Sequence, residues 1–157
     1  MTPSAARILL VYGGHAGGRT EKLREAVEQG IHAAQVPVTV TCRHALECGS
    51  AELLAAQGVL LGTPEHFGYM SGALKDFFDR TFYPVEGRTG GLPYGLFVSA
   101  GNDGSGTVRA VERIVIGYGW SAIAPPLVVV GDPTSADLER AAELGATLAA
   151  GLAAGIF

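Results

Sequence analysis

The chain has 157 residues, the length of one domain at about 150 residues each, so residues 1–157 are read as a single unit with a core of its own. With 48% apolar and 17% charged residues it is too apolar for a disordered or solvating segment. Eleven basic against fifteen acidic residues give a net charge of −4, and with no run of Lys or Arg this argues against a nucleic-acid partner.

Ile8-Leu9-Leu10-Val11-Tyr12 is a continuous apolar run, the pattern of a strand buried on both faces. After a glycine-rich turn, Leu23, Ala26, Val27, Ile31 and Ala34 recur at helical spacing, with Glu21, Lys22, Arg24, Glu25 and Glu28 between them. Residues 36–41 are β-branched and predict a second strand, and Pro37 at its start favours an edge position. Residues 51–56 predict a short helix and 58–62 a third strand. Leu74, Phe77, Phe78 and Phe82 mark the next helical face, with Lys75 and Asp79 as an outward i,i+4 pair.

Residues 94–100 predict a fourth strand, and Val108, Val111, Ile114, Val115 and Tyr118 a helix ended by Gly119. A fifth strand, 127–130, follows Pro125-Pro126. The last helix opens at Thr134, whose spacing to Asp137 fits a capping box, and buries Leu138, Ala141, Ala142, Leu148 and Leu152. The tail from 144 to 157 is apolar or small throughout, yet shorter than the ~20 residues that span a bilayer. It reads as a helix laid on a sheet, and no membrane partner is expected. Cys42 and Cys48 read as reduced thiols of a cytoplasmic protein. With His44 they supply three metal ligands and no fourth, so no metal is expected. Tyr83, Pro84, Val85 and Trp120 suggest an exposed apolar patch.

Strand and helix alternate five times, which predicts an α/β fold: a parallel sheet with helices on both faces. Five units favour strand order 2-1-3-4-5, in which ligands bind beyond the carboxyl ends of the strands where the order reverses. The loops after strands one, three and four therefore carry the candidate site. The first, Gly13-Gly14-His15-Ala16-Gly17-Gly18-Arg19-Thr20, can curl main-chain N–H groups around an anion at a helix start. Thr20 can cap that helix or donate to a phosphate, and Arg19 can pair with the phosphate or point to solvent. The loop is a near-miss to two phosphate signatures. It has Arg19 where a P-loop has Lys, and its glycines lack the G-x-G-x-x-G spacing, so a monophosphate cradle is what remains.

The second loop, Thr63-Pro64-Glu65-His66-Phe67-Gly68-Tyr69-Met70-Ser71-Gly72, gathers large apolar groups suited to a flat heterocycle, although Phe67 and Met70 packing under the loop is the plainer alternative. The third, Ser99-Ala100-Gly101-Asn102-Asp103-Gly104, offers small polar residues to the rim of the same ring or forms a plain turn. A phosphate at the first loop and a flat ring at the second together describe flavin mononucleotide (FMN).

Gly62-Thr63-Pro64, Phe67-Gly68 and Met70-Ser71, leading into Leu74 and Phe77-Phe78-Asp79, resemble the flavin loop of the flavodoxin-like NAD(P)H-dependent reductases, in particular NAD(P)H:quinone oxidoreductases of the tryptophan-repressor-binding-protein type. Gly18 and Thr20 match that family's phosphate loop, and His15 stands where it has a hydroxyl. The resemblance implies a flavodoxin-like three-layer sandwich that binds FMN at His15, Ala16, Gly17, Gly18, Arg19 and Thr20. It implies Glu65, His66 and Phe67 along the ribityl chain and ring edge, beside Pro64 and Gly68, with Tyr69 and Met70 at the ring, and 99–104 as the third segment. It also implies NAD(P)H as co-substrate, a quinone or similar small-molecule acceptor, and a homo-oligomer. The flavin carries the redox chemistry, so no catalytic side chain is required, and His66 is a proton-donor candidate. A one-electron carrier and a flavin-free binding protein are the competing classes.

Overall fold

The computed structural model describes residues 4–157. Strand β1 (Ala6–Tyr12) enters the glycine loop and helix α1 (Arg19–Ala33). Strand β2 (Val38–His44) leads through a 3-10 turn to α2 (Ser50–Ala55). Strand β3 (Gly58–His66) and the short β4 (Tyr69–Met70) precede α3 (Gly72–Val85). Then come β5 (Pro93–Ala100), α4 (Ser105–Tyr118), β6 (Ser121–Ala122), β7 (Leu127–Val130) and α5 (Ser135–Ala153).

The strands order as β2-β1-β3-β5-β6, with β7 also paired to β5 and every pair parallel except β3 with β4. This is the expected 2-1-3-4-5 arrangement with two refinements. The fifth strand is broken into β6 and β7 on one edge, because Pro125 and Pro126 between them have no N–H to give a ladder. A hairpin strand, β4, is added beyond the end of β3. Strand β2 pairs with β1 alone and is an edge, as Pro37 foretold.

The apolar runs divide by the two-residue period of a strand. Leu9 and Val11 of β1, Val59 and Leu61 of β3, and Leu96 and Val98 of β5 face α2, α3 and α4. Ile8, Leu10, Leu60 and Phe97 face α1 and α5 on the other side. Helices α1 and α5 touch backbone to backbone: a Cβ on Gly30 would lie 1.9 Å from the Ala142 carbonyl oxygen, so only glycine fits. Caps hold the ends as the spacing suggested. Thr134 and Asp137 form the capping box of α5, Ser71 Oγ accepts the Leu74 N–H, and α4 ends at left-handed Gly119.

The expected apolar patch does not exist as drawn. Tyr83 is exposed, but Val85 is buried as the last residue of α3, and Trp120 is buried with its indole N–H donating to Thr89 Oγ1. None of the described helices is long and apolar enough to cross a membrane.

Cys42 and Cys48 are free, and among the described residues no three His, Cys, Asp or Glu side chains converge on a point. Burial pushes the Cys42 thiol up to about 11 and the Cys48 thiol up to about 12, from an ordinary value of 9.0. Above 9.0 the unfolded chain sheds these protons and the folded one keeps them, so stability falls as pH rises from 9.0 toward about 11 and 12. A chain with both Cys42→Ala and Cys48→Ala is expected to lose stability less steeply across that window in pH-dependent urea melts.

Candidate functional site at the carboxyl edge of the sheet

The glycine loop is shaped by near contacts. A Cβ on Gly13 would lie 2.1 Å from Ser71 Oγ, and one on Gly14 2.7 Å from Thr20 Cβ, so this stretch presses against α3 and α1. Gly17 is left-handed, with φ +77°. The N-cap of α1 is Gly18 with no side-chain cap, so the first N–H groups of the helix are available to an anion. Thr20 is therefore not the cap. Its side chain is 3% exposed and its hydroxyl has no hydrogen-bond partner among the described residues.

Two side chains that sequence reasoning passed over brace this loop. His44 Nδ1 accepts the Leu46 N–H at 3.2 Å, which puts the ring proton on Nε2, and Nε2 donates to the Gly14 carbonyl at 2.9 Å. The Glu21 carboxylate accepts the Gly17 N–H and pairs with Arg24, whose guanidinium lies over the Tyr12 ring. Arg19 does not point freely to solvent: its Nε donates to Asp132 at 2.9 Å. Asp132 follows β7, and the parallel topology brings that loop to the same edge.

The second loop is a hairpin. Glu65 pairs with Met70 and His66 with Tyr69, across a two-residue turn in which Phe67 (φ 53°) and Gly68 (φ 73°) are both left-handed, the type I′ pattern. The hairpin is anchored at its base, where the buried Thr63 Oγ1 accepts the Ser71 N–H at 2.9 Å. Alternation along β4 then turns Met70 inward, 2% exposed in the core with Leu74 and Phe77, while Tyr69 is partly exposed and Phe67 fully so. The Met70 side chain is accordingly not a surface for a flat ligand, contrary to the expectation that it lies at the ring.

A bulky left-handed residue that buries nothing is strained without return to the fold, a sign that it contacts something else. Phe67→Asn is expected to raise stability by about 1 kcal/mol, read by chemical denaturation, because Asn tolerates that conformation.

In the third loop, Glu65 accepts the N–H groups of Asn102 at 2.8 Å and Gly104 at 2.9 Å. Asp103 turns to the start of α4, accepting both the N–H and the hydroxyl of Ser105, and those two donors hold its carboxyl below the usual value.

These elements enclose a cavity of about 480 Å³. Of the expected residues, His15, Gly17, Gly18, Arg19, Thr20, Pro64, Glu65, His66, Ser99, Ala100 and Gly101 line it, joined by Lys22 and Asp132. Ala16, Phe67, Gly68, Tyr69, Met70, Asn102, Asp103 and Gly104 do not. The cavity spans the gap between β1 and β3, where the strand order reverses.

A family model described as NADPH-dependent FMN reductase matches residues 6–135. The chain belongs to that family. It is 26% identical to an NAD(P)H dehydrogenase (quinone) of Syntrophus aciditrophicus, over 94% of this chain and 85% of that protein. It is 28% identical to a flavodoxin of Aquifex aeolicus over 69% of its own length, and spans 58% of that relative. A solved flavodoxin from the domain Archaea superposes with a TM-score of 0.80 over 92% of this chain and 96% of that one, and at 23% identity this speaks for the fold alone.

The cavity's chemistry fits the cofactor in the family's name. Uncapped N–H groups, the Thr20 hydroxyl, and Arg19 and Lys22 suit a phosphate at one end. Pro64, His66 and the small residues 99–101 leave a slot for a flat ring at the other.

Proposed function

We propose that this protein binds FMN in the carboxyl-edge cavity and works as an NAD(P)H-dependent reductase of a quinone or similar small acceptor. One observation carries the reading: the uncapped start of α1 and the free Thr20 hydroxyl open into the same cavity as the walls from β3 and β5. When bound, FMN would supply the redox chemistry between NAD(P)H and the acceptor.

The chain's own residues bind and orient. Gly17, Gly18, Arg19 and Thr20 hold the phosphate, with His15 and Ala16 in the same turn. Pro64, Glu65, His66 and residues 99–101 wall the ring side, and Asn102, Asp103 and Gly104 shape the third loop behind it. Phe67, Gly68 and Tyr69, at the hairpin tip, form the rim that an acceptor meets, and His66 is placed to hand it a proton. Met70 supports that rim from the core.

The free thiols of Cys42 and Cys48 favour the reducing cytoplasm. The reading includes assembly with further copies, for which Tyr83 on α3 and Ile116 on α4 are two of the exposed apolar side chains. The match to a flavodoxin keeps a one-electron carrier as the second reading.

The deciding experiment loads the protein with FMN and titrates it anaerobically with NADH and with NADPH. Bleaching of the flavin, reversed by added quinone, is the expected result. Uptake without bleaching selects the carrier, and no uptake of FMN ends both readings.

A further inference from the structure

Two charged groups around the cavity, Lys22 at the phosphate end and Glu65 on the opposite wall, have no ion-pair partner among the described residues. At the phosphate end, Arg19 is matched by Asp132, and Glu21 by Arg24. Glu65 takes part in none of the salt bridges among the described residues. Its two oxygens are held instead by main-chain N–H groups 37 and 39 residues away, at 2.8 and 2.9 Å. Both contacts are charge-assisted, so the carboxylate is pinned. It lines the cavity together with Pro64, His66, Ser99, Ala100 and Gly101.

The contact ties two loops that also meet where the Gly68 carbonyl oxygen would lie 2.2 Å from a Cβ on Gly106. One is the hairpin at the end of β3. The other is the segment 101–104, which reaches α4 through Gly104, left-handed at φ +70°, where an added Cβ would lie 2.7 Å from Val128 Cγ1. The Asn102 and Gly104 N–H groups taken up by Glu65 are not offered to a ligand. What a ligand meets at this wall is a fixed, unpaired negative charge.

We propose that Glu65 is a positioning residue that also tunes the bound flavin: its carboxylate fixes the third loop as a wall of the cavity and disfavours negative charge on the reduced ligand. The proposal rests on the FMN reading above. The two parts separate through linkage, because the potential of a bound flavin differs from that of the free one by the ratio of its affinities in the oxidised and reduced states. Loosening a loop weakens both states together and leaves the potential where it was. Removing a charge weakens them unequally.

Glu65→Gln keeps the shape and one acceptor oxygen but loses the charge and turns an NH2 toward a donor. It is expected to weaken oxidised FMN and riboflavin alike, by about tenfold, and to raise the midpoint potential of the bound flavin above that of the wild type. Glu65→Asp keeps the charge one methylene short of the two donors. It is expected to weaken binding while its potential stays closer to the wild type than that of the Gln variant.

In the flavin-free protein, hydrogen exchange at Asn102 and Gly104 is expected to speed up in both variants. A Gln variant whose bound flavin keeps the wild-type potential, or shows a lower one, overturns the proposal while the FMN reading stands. A wild-type protein that takes up no flavin ends the FMN reading, and this inference with it; the exchange measurement would then still report whether the carboxylate holds the loop.

Discussion

Thr20→Val is expected to raise the FMN dissociation constant by about ten- to a hundredfold, the worth of one hydrogen bond to a charged group, about 1.5–3 kcal/mol. The substitution keeps the side chain's shape and takes no partner from the folded protein, since the hydroxyl has none among the described residues. Riboflavin, which lacks the phosphate, is the internal control and is expected to bind within about twofold of the wild type. Fluorescence titration of both flavins measures the split. An equal loss for the two would place the phosphate elsewhere than the start of α1.

Gly30→Ala acts on the scaffold that aims this loop. The added carbon would stand 1.9 Å from a carbonyl oxygen of α5, so the two helices must part. Overpacking of this kind costs about 3 kcal/mol, and the better helix propensity of alanine returns about 1. The net loss of about 2 kcal/mol lowers Tm by about 6 °C. Gly72→Ala is the control, because nothing lies within 4 Å of the carbon added at the start of α3. It is expected to leave Tm unchanged or raise it slightly. Because α1 carries the phosphate loop at its other end, the Gly30 variant should also bind FMN more weakly even where it remains folded.

Much of this molecule is local, and so was legible. The run from Ile8 to Tyr12 is apolar at every position because its alternate side chains face different helical layers, Ile8 and Leu10 one way, Leu9 and Val11 the other. Thr134 and Asp137 meet across one turn, and Gly119 ends α4 by its own backbone conformation. The positions of the three loops followed from topology: parallel strands of one sheet deliver their carboxyl ends to one edge.

The hairpin was less legible. Its turn carries Phe67 where Asn or Asp is the usual signal, and a loop reading has no reason to send Met70 inward while Tyr69 stays out. Once the turn reverses the chain, the two-residue period of β4 does that of necessity.

By itself, then, the sequence determined the order of βα units, the faces each element buries and the edge to which the three candidate loops are delivered, because propensity, periodicity and capping act between residues a few positions apart. Only the tertiary structure decided what each charged side chain of the site does. Arg19 meets a carboxylate 113 residues away, His44 a carbonyl 30 residues away, and Glu65 two amides beyond the next helix. Such partners are chosen by how the loops converge in space, and no spacing along the chain records that.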